Sequence, residues 1–218
     1  MINKIHGAIF DLDGTLIDSM WIWEQIDIDY FNKLNIPMPK DLKDKINHLS
    51  FYDTAVYFKN TFHISDSIDE ICKDWNNRAL FYYSNKVTLK PGVLKLLEFL
   101  KSKNIKIALA TSNSEILLSA ALKHTKIMDY FDVISTTNEV SNGKNKPDIY
   151  LLTAKKLSIK PKNCLVFEDI YEAITGAKAA QMNVCAIYDK YSNYNKEKIL
   201  ELADFYIKDF SEIIPEII

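Results

Sequence analysis

From residue 88 onward, short apolar runs alternate with segments of helical spacing, and no other feature constrains the fold so tightly. The runs are 105–110 (IKIALA), 132–134 (DVI), 163–167 (NCLVF), 184–188 (VCAIY) and 204–207 (DFYI). Between most of them, 92–103, 114–124, 148–157 and 170–182 repeat apolar residues as a helix does. In the first, Val93, Leu96, Leu97 and Leu100 share a face. Strands separated by helices build βαβ units, hence an α/β fold with a parallel sheet covered on both faces. The run at 5–10 adds a strand from the N-terminus.

Residues 18–87 interrupt this pattern with helical spacing alone. Trp23, Ile26, Tyr30 and Leu34 share a face, and Asn35-Ile36-Pro37 ends that helix. All three tryptophans fall here. We read 18–87 as a helical insert, with 1–17 and 88–218 forming the α/β part. Pro91-Gly92 marks the re-entry, where both residues favour a turn before a helix.

Composition removes several classes of function. The formal charge of −2 gives no basic stripe for nucleic acid. No apolar run reaches the roughly 18 residues of a membrane span, and the N-terminal apolar segment is too short for a secretory signal. Cys72, Cys164 and Cys185 are odd in number and far apart, which reads as free thiols in a reducing compartment. A cytoplasmic protein is expected, a monomer with a dimer as the alternative. Arg78 is the only arginine, so any phosphate must be met by lysine.

In open α/β sheets ligands bind beyond the carboxyl ends of the strands. GAIF ends there in Asp11-Leu12-Asp13, IALA in Thr111-Ser112-Asn113, and LVF in Glu168-Asp169. If these strands are neighbours, Asp11, Asp13, Glu168 and Asp169 converge and raise one another's pKa unless a cation neutralises them. Oxygen-only ligation suits Mg²⁺, which also binds substrate phosphate oxygens. The plainer alternative for Asp11 and Asp13 is a turn or a helix cap. A calcium loop of the EF-hand type is excluded, because Leu16 and Ile22 stand where its glycine and glutamate belong. Thr111 reads either as an N-cap or as part of an anion site at a helix N-terminus. Of the lysines in SNGKNKPD, Lys144 reads as solvated. Lys146, beside Pro147 at a first helical position, differs only if the loop turns it toward the acids, where it would neutralise a phosphoryl group.

DLDGT at Asp11–Thr15, Thr111-Ser112, Lys146-Pro147 and Glu168-Asp169 follow in an order and spacing that resemble the haloacid dehalogenase superfamily. The branch resembled holds phosphatases and β-phosphoglucomutase-like proteins with a helical cap after the first motif. The resemblance implies a Rossmann-like parallel sheet flanked by helices, with 18–87 as an inserted α-helical cap domain. It implies that Asp11 attacks phosphorus and becomes a phosphoaspartate, and that Asp13 protonates the leaving oxygen and then assists water. Thr111 and Ser112 would hold phosphoryl oxygens and Lys146 would balance charge. Mg²⁺ would be bound by Asp11, Asp169 and the backbone carbonyl of Asp13, with Glu168 acting directly or through water.

The chain departs from the family at Ile170, Ala173 and Gln181, where serine, glycine and glycine are common. In sugar-phosphate mutases of this branch a histidine and an arginine occupy the places aligned with Trp23 and Phe51. The expectation is therefore a phosphatase acting on a small phosphorylated metabolite, with a sugar phosphomutase as the alternative. A non-catalytic binding protein on the same fold is the third reading. Trp21, Trp23, Phe51 and Tyr52 either shape a substrate pocket or fill the core of the insert. His48 either reaches the same cleft or lies on the surface.

Overall fold

The computed structural model describes residues 5–46 and 49–217. The chain forms two compact units, one of residues through Met20 together with those from Val87 on, the other Trp21–Lys86.

The first unit opens with β1 (Gly7–Phe10) and a two-residue strand β2 (Ile17–Asp18). The second unit holds α1 (Trp21–Leu34), α2 (Leu42–Ile46), α3 (Phe51–Thr61) and α4 (Ile68–Asn85). The chain then returns through β3 (Thr88–Leu89) to α5 (Val93–Ser102), β4 (Lys106–Thr111), α6 (Glu115–His124) and β5 (Val133–Thr136). It continues as α7 (Asp148–Leu157), β6 (Cys164–Glu168), α8 (Tyr171–Ala179) and β7 (Asn183–Ile187). It ends in α9 (Lys196–Leu202), β8 (Phe205–Ile207) and α10 (Ile214–Ile217).

Six strands form one parallel sheet in the order β5-β4-β1-β6-β7-β8. β1 is buried along its whole length, as a central parallel strand must be when helices cover both faces. Its alternate residues serve two cores. Ile9 and Val166 face a cluster with Ile149, Ala154, Leu157, Ile174 and Ala177 from α7 and α8. Phe10 and Phe167 stack at 4.4 Å, with Phe210 against both. β2 pairs antiparallel with β3, and the first unit runs on through Met20 before the second begins.

In the second unit serines cap two helices, Ser50 before α3 and Ser67, with Glu70, in a capping box before α4. Asn35, at φ 55, follows the end of α1. The buried face of α1 is Ile22, Ile26, Tyr30 and Phe31, not the face through Trp23 and Leu34. Tyr30, Phe31, Phe58 and Trp75 pack ring against ring as its core. Arg78 pairs with Asp74 and approaches Asp29 at 3.8 Å. The three cysteines are free, two of them buried. Among the described residues no helix is long and apolar enough to cross a membrane.

Candidate functional site

Sheet register assembles the site. Phe10 lies abreast of Leu109 on one side and Phe167 on the other, so Asp11 emerges beside the ends of β4 and β6. Its backbone N–H donates to Phe167 O at 3.0 Å. Asp11, Glu168 and Asp169 each bring a carboxylate oxygen within 4.8 Å of the others, all three buried. The turn after Asp13 closes onto this cluster. Gly14 sits at φ +80, and a Cβ there would come 2.5 Å from Asp169 Oδ2, so only glycine fits. Thr15 donates from its hydroxyl to Asp169 Oδ1 at 2.9 Å.

The cation that meets the acids is Lys144, not Lys146. Lys144 is 8% exposed; its Nζ donates to Asp11 Oδ1 at 2.6 Å and is ion-paired with Glu168 Oε1. Lys146 is exposed. The reason lies in the loop. It rests on α8 at Gly176, where a Cβ would stand 2.0 Å from Lys144 O and 2.7 Å from Lys146 O. Lys146 N bonds back to Gly143 O, and this turn directs the earlier lysine inward.

The carboxylate of Asp13 does not join the cluster. It accepts from Ser19 Oγ at 2.6 Å and from Asn113 Nδ2 at 2.7 Å, two partners the sequence did not announce. Thr111 is buried at the end of β4, with its hydroxyl accepting from Asn113 N–H. The cap of α6 is Ser114, which removes the capping explanation of Thr111. Ser112 is exposed in the turn between them. In the second unit Trp23 and Phe51 are 40% and 39% exposed, and Tyr52 is more exposed still, so these rings do not fill its core. Trp23 and Phe51 meet edge to face at 6.0 Å. His48 lies outside the described residues.

Electrostatics show what the cluster lacks. Burial, followed by the charges of Asp11 and Glu168, raises Asp169 well above the ordinary carboxylate value. Burial also raises Glu168, although Lys144 works against the shift. Burial disfavours the Lys144 charge, but Asp11 and Glu168 together hold its ammonium above the usual lysine value. Glu168 Oε2 and Asp169 Oδ2 are buried and have no hydrogen-bond partner among the described residues. Orphan oxygens on two neighbouring acids of an all-carboxylate set fit a small hard cation such as Mg²⁺.

A family model described as haloacid dehalogenase-like hydrolase matches residues 8–187. The phosphorylated carbohydrates phosphatase of Thermotoga maritima is 31% identical over 196 residues, covering 90% of each chain. The beta-phosphoglucomutase of Bacillus subtilis is 28% identical, covering 82% of this chain and 81% of its own. A crystal structure of a Thermotoga maritima protein, provisionally designated a beta-phosphoglucomutase, superposes with a TM-score of 0.86. That protein is 28% identical, and 98% of each chain is covered.

Proposed function

The chain belongs to the haloacid dehalogenase-like hydrolase family, and on that footing we propose a Mg²⁺-dependent phosphatase that hydrolyses a small sugar or polyol phosphate through a phosphoaspartate on Asp11. In this reading Trp21–Lys86 is the cap, and Trp23 and Phe51 are the residues proposed to contact substrate. The observation that carries the proposal is the buried cluster of Asp11, Glu168 and Asp169, with one ammonium shared and two oxygens left over. Three carboxylates against one ammonium leave two negative charges in excess, which one divalent cation neutralises.

Asp11, Glu168 and Asp169 would hold Mg²⁺, with the Asp13 backbone carbonyl. When bound, the cation shields a dianionic phosphate from an anionic nucleophile. Asp11 attacks phosphorus, the bond to the leaving oxygen breaks, and Asp13 gives that oxygen its proton. Asp13 then takes a proton from water as the water attacks the phosphoaspartate, which releases inorganic phosphate and restores Asp11. Ser19 and Asn113 hold the Asp13 side chain between these events. Lys144 balances the charge on Asp11 and on the phosphoryl oxygens, and Thr111 and Ser112 bind those oxygens.

Phosphate release from a panel of sugar and polyol phosphates tests the proposal. Activity is expected to vanish with EDTA and to fall by about three orders of magnitude or more in Asp11→Asn. Undiminished release by Asp11→Asn refutes the nucleophile. Similarity to phosphoglucomutases supports a second reading. Phosphorus NMR with β-glucose 1-phosphate separates the two, because a mutase accumulates glucose 6-phosphate in place of inorganic phosphate.

A further inference from the structure

Two hydroxyls outside the proposed chemistry end on the acid cluster. Thr15 Oγ1 donates to Asp169 Oδ1, and the hydroxyl of Tyr150, a fully buried residue of α7, donates to Glu168 Oε1, each at 2.9 Å. In both acids the second oxygen is buried and has no partner among the described residues. Each neighbouring carboxylate is thus pinned through one oxygen and presents the other.

Glu168 is the acid that most needs pinning, because its longer side chain has more rotamers to lose than an aspartate. Two donors converge on it, the Tyr150 hydroxyl and the Lys144 ammonium, and both take Oε1. Had they divided the two oxygens between them, neither would be left over. We propose that Tyr150 is a positioning residue of the cation site: by joining Lys144 on Oε1 it fixes the Glu168 carboxylate with Oε2 turned to the cation. This rests on the metal-dependent reading above and adds to it the residue that sets the aim of one ligand.

A buried tyrosine also seeks an acceptor for its own sake, so the test must read the cation and not only the fold. Mg²⁺ is titrated calorimetrically into the full chain, without substrate, for the native protein, Tyr150→Phe, Glu168→Gln and the double variant. Tyr150→Met, which fills similar space without a donor, is titrated alongside in case the phenylalanine variant does not fold. Partners that orient metal ligands typically contribute 10–100-fold in affinity, so Tyr150→Phe is expected to weaken Mg²⁺ binding by about tenfold or more. Turnover at saturating Mg²⁺ is expected to change far less. In the Glu168→Gln background the same change should cost nothing further, since Tyr150 acts through Glu168. Native affinity in Tyr150→Phe, or an equal loss with Glu168 already replaced, overturns the role of Tyr150 and leaves the metal reading standing. A native protein that binds no Mg²⁺ overturns both.

Discussion

The carboxyl edge of the sheet and the helical unit treat their charges in opposite ways. In the helical unit Asp74 is held by Lys33 at 2.7 Å and by Arg78, while Asp29 accepts from Gln25 and Tyr82. That network closes on itself near the surface, where water completes what the side chains do not. At the sheet edge three buried carboxylates share one ammonium and two hydroxyls, and two buried oxygens, Glu168 Oε2 and Asp169 Oδ2, have no partner among the described residues. Incomplete pairing costs most where water is excluded. A closed network needs no more than its contribution to the fold. An open one, placed where openness is most expensive, is accounted for by the cation proposed to bind there.

Two lysines two residues apart give the sharpest way to break this contrast. Lys144→Met leaves Asp11 and Glu168 without their shared ammonium. Breaking a buried pair in this way costs about 3–5 kcal/mol, and in the proposed reaction the loss of this charge beside the phosphoryl group is expected to lower kcat/KM about a hundredfold or more. Lys146→Met should stay within about 0.5 kcal/mol of the native protein, as exposed substitutions do. Urea unfolding and phosphate release on both variants decide the matter. Equal effects would mean that burial of Lys144 does not mark its role.

Gly176→Ala attacks the same lysine through the backbone that supports it. The new Cβ would lie 2.0 Å from Lys144 O, so the loop must move. Overpacking of this kind costs about 1–3 kcal/mol, and kcat/KM should fall because Lys144 moves with the loop. Loss of stability with kcat/KM unchanged would show that the loop shifts without carrying the ammonium.

What was legible in the chain follows the same division. The sheet was readable because buried parallel strands are continuous apolar runs, and Asp11, Thr111 and Glu168 were readable because they end such runs. The choice between Lys144 and Lys146 was not, because it depends on how closely a loop approaches Gly176 on a helix more than 30 residues further on. The partners of Asp13, Ser19 and Asn113, are likewise set by the fold of two turns rather than by spacing. On α1 the faces through Trp23 and through Ile22 are adjacent on the helix and share Ile26 and Tyr30, so periodicity alone does not separate them. Gln181 stands at φ 60, a left-handed conformation that explains why glycine is common there in the family and that a glutamine does not advertise.

Within the helical unit, Asp27 on α1 carries a smaller version of the charge problem at the sheet edge. Burial, with Glu24 adding to it, pushes its carboxyl up to about 7. The folded chain therefore holds this proton more tightly than the unfolded chain does. Its contribution to stability is complete below the ordinary carboxylate value and is lost as pH rises through about 7. Urea midpoints of the native protein should fall more between pH 5 and pH 8 than those of Asp27→Asn. Parallel profiles would place Asp27 with the closed network after all.

Arg78→Met should have the smallest effect, for reasons the network itself supplies. Asp74 keeps Lys33 at 2.7 Å, and Asp29 keeps Gln25 and Tyr82. The side chains of Arg78 and Asp74 are 25% and 20% exposed, so water reaches what the arginine leaves behind. Ion pairs in such settings contribute about 1 kcal/mol or less. The unfolding midpoint should move accordingly, and should move less in high salt, which screens the pair in the native protein too. A loss approaching that of Lys144→Met would mean that the two regions do not differ in kind, and closure of a network would no longer separate a structural cluster from a functional one.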